Sequence, residues 1–547
     1  MKIASPTRDR LRGGSPWIAL LLLTACRDPE PLTAAAQAAT GTSPGGLARV
    51  AELYVTTEVA GYVEPCGCTS RPLGGIQRLA TVIKRGARDR ALIDAGDLLF
   101  PTEGLDEVTA EQHRLKAQIL ARLYRQLGVV AINVGAADLS SGLPFLRELQ
   151  REGAVPLVSA NIRPFGEDAP SIAQSFLREI GGVRVGITGV ATPESFVGKP
   201  GVSSLEYAPA LRTEVSALRK RGAEVILALA HVGDPAAREL AQAVPDIDVI
   251  VRAPGTPVGQ PPVAPARVGG VLIVEAGSQG QHVGRVTIRL GAGPPARPLP
   301  FDDRGDGQRR ARALSERKIR AFLREIETLR HDPAKRPAIE ARELEIARLK
   351  ASLVSRADVP APPAGPHLAF ELIPLDDTVP ADGGASDLLS AYYAQLKDMN
   401  AQRGDVSRCA QPEKTKAVYV GTAKCVPCHE AAFNFWKGTK HATAWATLEE
   451  AKKHFDLTCV GCHTVGYQQP GGFCRLTDLG ELKDVGCESC HGPGSVHAKT
   501  GKRDIALGAT EATCAGGCHV PEHSDTFEYT AYLLRITGEG HRLRSLK

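Results

Sequence analysis

Three pairs of cysteines near the end of the chain are each followed immediately by a histidine. The motifs are Cys425-Val-Pro-Cys428-His429, Cys459-Val-Gly-Cys462-His463 and Cys487-Glu-Ser-Cys490-His491. At this spacing two thiols can bond to the two vinyl groups of one porphyrin, while the adjacent imidazole coordinates the iron. Zinc sites or disulfides would not require a histidine directly after the second cysteine three times over. The sequence therefore predicts three covalently bound c-type haems.

A fourth candidate motif, Cys514-Ala-Gly-Gly-Cys518-His519, has one more residue between its cysteines. Glycine tolerates backbone conformations that are closed to other residues, so this loop could bulge and still present both sulfurs to a porphyrin. The alternative is a local disulfide that leaves His519 as a spare ligand. We expect a fourth haem at this position.

Each haem iron has a sixth coordination position, which histidine usually fills in domains of this kind. Five histidines of the C-terminal segment lie outside the motifs: His441, His497, His541, His523 and His454. We rank them as candidate distal ligands in that order. Five candidates for four irons predict that each haem can be coordinated by two histidines, and spacing alone does not pair them.

The segment from about 415 to 545 resembles the tetrahaem cytochromes that relay electrons from hydroxylamine oxidoreductase in nitrifying bacteria. Besides the haem motifs, the resemblance rests on Trp436-Lys-Gly-Thr-Lys-His441-Ala and on Gly486-Cys-Glu-Ser-Cys-His-Gly-Pro-Gly-Ser-Val-His497. It implies closely packed haems that exchange electrons, held by a mostly α-helical or irregular domain with little regular structure. The widened fourth motif departs from the family pattern.

The rest of the chain divides by composition into a front domain (49–293), a helical hairpin with a linker (294–366), a lead-in strand and helix (367–410) and the haem domain (411–547). In the front domain, short apolar runs alternate with amphipathic stretches such as Glu111–Leu127, which predicts an α/β fold. The runs are Ala91–Ile93, Val129–Ile132, Val183–Thr188, Val225–Ala228 and Val271–Val274. In the hairpin, apolar residues recur at helical spacing on both sides of the breaker at Pro333.

The front domain resembles the metallophosphoesterase domain of secreted 5′-nucleotidases, which implies a four-layer α/β sandwich. The matching landmarks are Tyr54–Gly61, Gly74–Arg78, Asp94–Asp97, Gly135–Asp138, Ala230–Gly233 and Asp248–Thr256. That family binds two metal ions, which activate a water and hold the phosphoryl oxygens.

The positions of this metal site are depleted in ligands. Six of them carry other residue types than the family does: Glu58, Ala60, Ala136, Ala137, Pro254 and Thr256. Asp97 and His231 remain, with Glu58 as a possible third ligand. Alanine and proline side chains offer no donor atom, so we interpret the domain as a catalytically silent scaffold or docking module.

Two further pairs of cysteines lie outside the haem motifs. Cys66 and Cys68 could supply two thiolates to a soft metal together with His231 or Asp97, or they could form disulfides, as secreted cysteines usually do. Both alternatives stay open. For Cys409 and Cys474 we favour a disulfide with each other.

The N-terminus has the features of a bacterial secretion signal. Basic residues precede the apolar stretch Trp17–Leu23, and Leu23-Thr24-Ala25-Cys26 resembles a lipoprotein cleavage site, so residues 1–26 are the predicted signal with lipidation at Cys26. The alternative is ordinary signal cleavage with an incidental cysteine at this position. Residues 27–48 are a predicted flexible tether. We expect a protein of the periplasm or cell surface, attached to a bacterial membrane by lipid.

These features favour an extracytoplasmic electron carrier whose partners are redox proteins, such as other cytochromes or a periplasmic or membrane oxidoreductase. A multihaem reductase of a small nitrogen or sulfur oxyanion is the first alternative, and a residual phosphoesterase activity in the front domain is the second. A formal charge of +5 on a chain with 23% charged residues, without basic runs interleaved with aromatic residues, argues against a nucleic-acid partner.

Overall fold

The computed structural model describes residues 48–541 apart from 66–71, 154, 255–261, 305, 331–332, 355–362, 364, 403–416, 477–479, 503–509 and 522. The predictions on Cys26, on almost all of the tether and on Cys66, Cys68 and Cys409 therefore fall outside the described residues. Among the helices that are described, none combines the length and the apolar composition needed to cross a membrane.

The secondary structure alternates between strands and helices as far as β13 and is mainly helical afterwards. The described strands are β1 (Arg49–Thr56), β2 (Arg90–Asp94), β3 (Val129–Asn133), β4 (Leu157–Val158), β5 (Ile162–Pro164), β6 (Ser175–Ile180), β7 (Val183–Ala191), β8 (Val202–Ser204), β9 (Val225–His231), β10 (Val249–Ala253), β11 (Ala266–Val268), β12 (Val271–Val274), β13 (His282–Leu290), β14 (Phe301–Asp302) and β15 (His367–Pro374). The described α-helices are α1 (Ile76–Lys84), α2 (Ala110–Gln126), α3 (Gly142–Arg151), α4 (Tyr207–Lys220), α5 (Asp234–Ala243), α6 (Asp306–Leu329), α7 (Arg336–Val354), α8 (Gly383–Ala401), α9 (Val426–Lys437), α10 (Ala444–Glu450), α11 (Leu457–Val460), α12 (Cys487–His491), α13 (Ser495–Thr500), α14 (Glu511–Ala515) and α15 (Tyr529–Ile536). Each apolar run singled out above lies in a strand, and Glu111–Leu127 corresponds to α2.

The front domain is built around two sheets. The first has the strand order β14-β15-β13-β1-β2-β3-β4 and the second the order β11-β12-β10-β9-β7-β6. The strands β1 to β4 run parallel, as do β7, β9, β10 and β12. Parallel neighbours need crossover connections, which the intervening helices supply.

The two sheets pack face to face between two helical layers. Leu53 and Val55 of β1 share one core with Val185 and Leu227 of the second sheet. Helices α1, α2, α3 and α8 cover the outer face of the first sheet, and α4 and α5 cover that of the second. Strands that are buried on both faces read as continuous apolar runs, which is why they could be recognised in the sequence. The predicted α/β class, with four layers, is confirmed.

The strand and helix at 367–401 join the first sheet and its helical layer. Strand β15 pairs antiparallel with β13 along eight residues, from His367 opposite Arg289 to Pro374 opposite His282. Helix α8 packs onto the same helical layer through Leu389, Tyr392 and Leu396. Along the sequence, the long hairpin separates β15 from β13, the strand with which it pairs. The segment was therefore predicted as a lead-in distinct from the front domain.

The predicted helical hairpin is present as α6 and α7. Its apolar stripe includes Ile319, Ile326 and Ile346, which pack together between the two helices. The hairpin also contacts the haem domain, where Arg535 of α15 forms an ion pair with Glu327 of α6. The hairpin is therefore attached to the haem domain as well as to the front domain.

The haem domain consists of short helices joined by turns. Among its described residues, the β-structure is a single isolated bridge between Thr464 and Lys483. Its apolar cluster includes Trp445, Val460 and Phe473, and it also contains Val108 from the front domain. The predicted mostly helical and irregular character is confirmed.

A histidine of α2 lies where the front domain meets the haem domain. Burial and the positive charge of Lys116 lower the pKa of His113 from 6.5 to about 4, although Asp456 acts in the opposite direction. Folded chains therefore keep His113 neutral at a pH where unfolded chains bind a proton.

We expect acid to destabilise this contact through His113. Because the unfolded state takes up the proton first, the contribution is complete above pH 6.5 and is lost as the pH falls towards about 4, by roughly 3 kcal/mol at most. The free energy of unfolding in denaturant at pH 7 and pH 5 measures it. The His113→Gln variant should lose this part of the pH dependence, and an unchanged pH slope in the variant would contradict the assignment.

Candidate functional site

The first three haem motifs each lie on a short helix or directly at its end. Cys425 is the residue before α9, Cys459 is in α11, and Cys487 and Cys490 are both in α12. Residues three apart face the same side of a helix, so in the third motif the helix turns both thiols in one direction.

The thiols of different motifs contact one another in pairs. Cys425 and Cys487 share a hydrogen bond, which lowers the pKa of Cys487 to about 7. Cys462 and Cys518 share another, which lowers the pKa of Cys518 to about 7. The first motif therefore lies beside the third, and the second beside the fourth.

Two of the five candidate distal histidines face motif histidines. The ring centroids of His429 and His497 are 6.1 Å apart, and those of His441 and His519 are 6.3 Å apart. Since metal bonds to imidazole nitrogens are about 2 Å long, a metal held between two imidazoles separates their centroids by roughly 6 Å. The two pairs therefore fit an iron that is coordinated from both sides.

The other three candidates have different surroundings. Burial lowers the pKa of His541, and so do the nearby imidazoles of His491 and His429, so His541 lies close to the third motif. His454 packs against Phe455, with ring centroids 4.0 Å apart, and against Trp445. His523 lies in the turn after the fourth motif, where its backbone N–H donates to the carbonyl of Val520 at 3.0 Å.

Hydrogen bonds at Nδ1 orient several of these imidazoles. Nδ1 of His463 donates to the carbonyl of Ala444 at 2.5 Å, and Nδ1 of His497 donates to the carbonyl of Lys502 at 2.6 Å. Nδ1 of His519 lies 3.0 Å from the hydroxyl of Ser524. A hydrogen bond at one ring nitrogen leaves the other as the metal ligand, which is the usual arrangement around protein-bound metals.

The widened fourth motif accommodates its extra residue in a larger turn. In the first motif, the N–H of His429 donates to the carbonyl of Cys425, four residues back, at 3.0 Å. In the fourth, the N–H of His519 donates to the carbonyl of Cys514, five residues back, at 2.9 Å. The first cysteine and the histidine are therefore connected in the same way in both motifs.

Cys474 is disulfide-bonded. Its predicted partner Cys409 lies outside the described residues, so the pairing with Cys409 stays a prediction.

The candidate metal site of the front domain lies where parallel strands end. One ligand atom each from Glu58, Asp97 and His231 lies within 4.8 Å of the other two. Glu58 follows β1, Asp97 follows β2 and His231 ends β9, and ligand sites of α/β folds are commonly found at this edge. Nε2 of His231 is 3.0 Å from Oδ2 of Asp97. Burial alone would lower the pKa of His231, but Asp97 and Glu58 raise it above its ordinary value.

The backbone around this site keeps unusual conformations. Glu58, Ala60 and Asp97 have positive φ angles of 44°, 54° and 54°. Non-glycine residues rarely adopt such angles, and they cluster where a fold holds a functional site. The backbone N–H of Ala137 donates to Oδ1 of Asp97 at 2.8 Å. Thr256, Cys66 and Cys68 fall outside the described residues.

Glu488, between the two cysteines of the third motif, was not singled out from the sequence. Its side chain is 4% exposed. Its carboxylate accepts hydrogen bonds from the backbone N–H groups of Val420 at 3.0 Å, Gly421 at 2.7 Å and Gly494 at 2.7 Å. It thereby ties the segment before the first motif to the third motif. The sequence signal for Glu488 is the presence of an acidic residue between the two cysteines of the motif.

We expect Glu488→Ala to destabilise the haem domain by about 3 kcal/mol or more, because three buried N–H donors would lose their acceptor. Glu488→Gln keeps the shape and one acceptor oxygen, so its effect should be smaller. Thermal unfolding of the haem-loaded protein measures both, with Glu450→Ala at an exposed glutamate as the control. Equal stability of Glu488→Ala and Glu450→Ala would refute this role.

Residues 424–492 match the family described as "Cytochrome c554 and c-prime". Cytochrome c-554 of Nitrosomonas europaea is 39% identical over 105 residues, which are 16% of this chain and 45% of that protein. The 5′-nucleotidase of Bos taurus is 31% identical over 197 residues, 34% of this chain and 33% of that protein. The chain thus spans less than half the length of either relative.

Two solved structures represent the same two resemblances. The 5′-nucleotidase precursor from Thermus thermophilus has a TM-score of 0.43 at 18% identity, over 77% of this chain and 71% of that chain. Reduced cytochrome c554 from Nitrosomonas europaea has a TM-score of 0.18 at 28% identity, over 22% of this chain and 82% of that chain. By sequence similarity, the protein thus joins a C-terminal cytochrome c554 domain to an N-terminal metallophosphoesterase-like domain of the 5′-nucleotidase type.

Proposed function

We propose that this chain is an extracytoplasmic electron carrier with four c-type haems, one at each motif, anchored to a bacterial membrane through lipid on Cys26. The observation that carries the proposal is the spacing of two imidazole pairs, His429 with His497 and His441 with His519, at which one metal fits between two rings. The similarity to cytochrome c-554 supports it independently.

The haems supply reversible one-electron chemistry at iron when they are bound. The chain contributes the attachment and the orientation of the ligands. Its thiols contact one another between the first and third motifs and between the second and fourth, so groups attached to them lie side by side. Its Nδ1 hydrogen bonds hold the imidazoles of His463 and His497 in a fixed orientation. These features suit transfer of electrons within the chain and to redox partner proteins.

The proposed axial pairs follow from the same geometry. His497 serves the first haem, opposite His429, and His441 serves the fourth, opposite His519. His541 serves the third, because it lies near His491. His454 packs within an aromatic cluster and remains the least favoured of the five candidate distal ligands.

For the front domain we propose a structural role without phosphoester hydrolysis. Glu58, Asp97 and His231 could hold one metal ion, for which three protein ligands are enough. Hydrolysis of the family's type uses two metals, and Ala136, Ala137 and Pro254 provide no ligands for a second.

We expect four haems per chain when the full-length protein is produced in a host that attaches haem c. Alkaline pyridine spectra together with the intact mass measure the number. A double variant, Cys514→Ser with Cys518→Ser, should retain three haems, and the matched variant Cys459→Ser with Cys462→Ser should also retain three. Three haems in the unaltered chain would remove the fourth motif from the set, and a colourless protein would refute the whole proposal.

We expect His497→Ala and His441→Ala each to convert one haem from low spin to high spin without loss of haem, because the thioether bonds remain. Absorbance and electron paramagnetic resonance measure the spin state, and each variant should bind more carbon monoxide than the unaltered protein does. His454→Ala is the control and should resemble the unaltered protein. Binding of carbon monoxide or nitrite by the unaltered protein would instead favour the reductase alternative.

A further inference from the structure

A glutamine of the front domain inserts into the haem domain beside the second haem motif. Gln112 of α2 is fully buried. Its side-chain N–H donates to the carboxylate of Asp456. Its side-chain carbonyl accepts from the backbone N–H of Leu457 at 3.0 Å and from the amide of Asn400 at 3.3 Å. One amide group therefore bonds both to the residue before α11 and to the first residue of that helix.

Helix α11 is the element that carries the first thiol of the second motif, Cys459. Asp456 caps its N-terminus, where the carboxylate accepts from the backbone N–H of Thr458 at 2.9 Å and from its hydroxyl at 2.6 Å. A helix of four residues is far too short to be stable by itself, so its placement depends on its cap and on its packing. The cap and the packing of α11 both involve residues of the front domain.

Further contacts from the front domain surround the same turn. Asn400 of α8 donates to the carbonyl of Phe455 at 2.7 Å. Lys116 lies 3.7 Å from Asp456, and Lys453 forms an ion pair with Glu64 at 2.7 Å. The second motif is thus held against α2 and α8 by hydrogen bonds and ion pairs between the two domains.

The chemistry of this contact is specific for an amide. A glutamine offers a donor to the carboxylate and an acceptor to the N–H of Leu457 at the same time. A glutamate would oppose its charge to that of Asp456. An apolar side chain would remove the side-chain acceptor of the buried N–H of Leu457 and one of the donors to Asp456.

We propose that Gln112 is a positioning residue for the second haem, and that through it the front domain orients the motif Cys459–His463. This inference rests on the proposed function, because it requires haem at that motif. In this proposal the front domain, whose metal site is depleted, acts through its shape alone. It provides the surface against which the second haem motif is held.

The test uses the full-length, haem-loaded protein with Gln112→Glu and Gln112→Met. Glutamate adds a negative charge near the motif and favours oxidised iron, so one of the haem midpoint potentials should fall. We expect about a tenfold change in the equilibrium constant for its reduction, which corresponds to about 59 mV for one electron. Methionine, of similar length, removes all three side-chain hydrogen bonds and should produce a smaller shift in the same direction. A redox titration followed by absorbance measures the potentials.

Two controls make the result specific. Gln126→Glu and Gln126→Met, at an exposed position on the same helix, should leave all potentials unchanged. In a chain that lacks the second haem through Cys459→Ser and Cys462→Ser, the substitutions at Gln112 should have no effect on the remaining potentials.

The outcomes separate this inference from the proposed function. Absence of haem from the unaltered chain, seen in the pyridine spectrum, defeats the proposed function. Four haems with unchanged potentials in both Gln112 variants, or an equal shift of all potentials, overturns the positioning role alone. If Gln112→Glu does not fold, Gln112→Met decides.

Discussion

A haem held by two thioether bonds is fixed at one edge and coordinated on one face, so its other face depends on an imidazole from elsewhere in the chain. We propose that this requirement organises the C-terminal domain. His497 reaches His429 from beyond the third motif, and His441 reaches His519 from before the second. These crossings bring distant segments together in a domain whose described part has only short helices and one β-bridge. They also explain why thiols of non-consecutive motifs contact each other.

Polar groups do much of the structural work in such a domain. Its apolar cluster is small and includes Val108 from the front domain. The buried Glu488 carboxylate accepts from backbone N–H groups of two segments. At the start of α11, the Asp456 carboxylate accepts from Thr458 and from the side chain of Gln112. A buried polar group is costly unless all its hydrogen bonds are made, so each network tolerates few alternative arrangements and specifies the positions of the segments that it joins.

The front domain places a candidate metal site of three residues at the strand ends of an α/β fold. Its four layers are complete, and Glu58, Ala60 and Asp97 keep the unusual backbone angles of the strand ends. Asp97 contacts His231 and the backbone N–H of Ala137. The site belongs to a body with a large buried core. Helices α2 and α8 of this body are the ones that face the second haem motif.

Features that depend on neighbouring residues could be predicted from the sequence. The haem motifs were recognisable because two thiols and an imidazole must be close along the chain, and the strands because burial on both faces demands continuous apolar runs. Only the tertiary structure decided which distal histidine faces which motif, that β15 returns to the first sheet, and that Gln112 and Glu488 join separate segments. These are contacts between residues far apart in sequence, and the physical reason is that their partners are selected by packing and burial, which leave no periodic pattern along the chain.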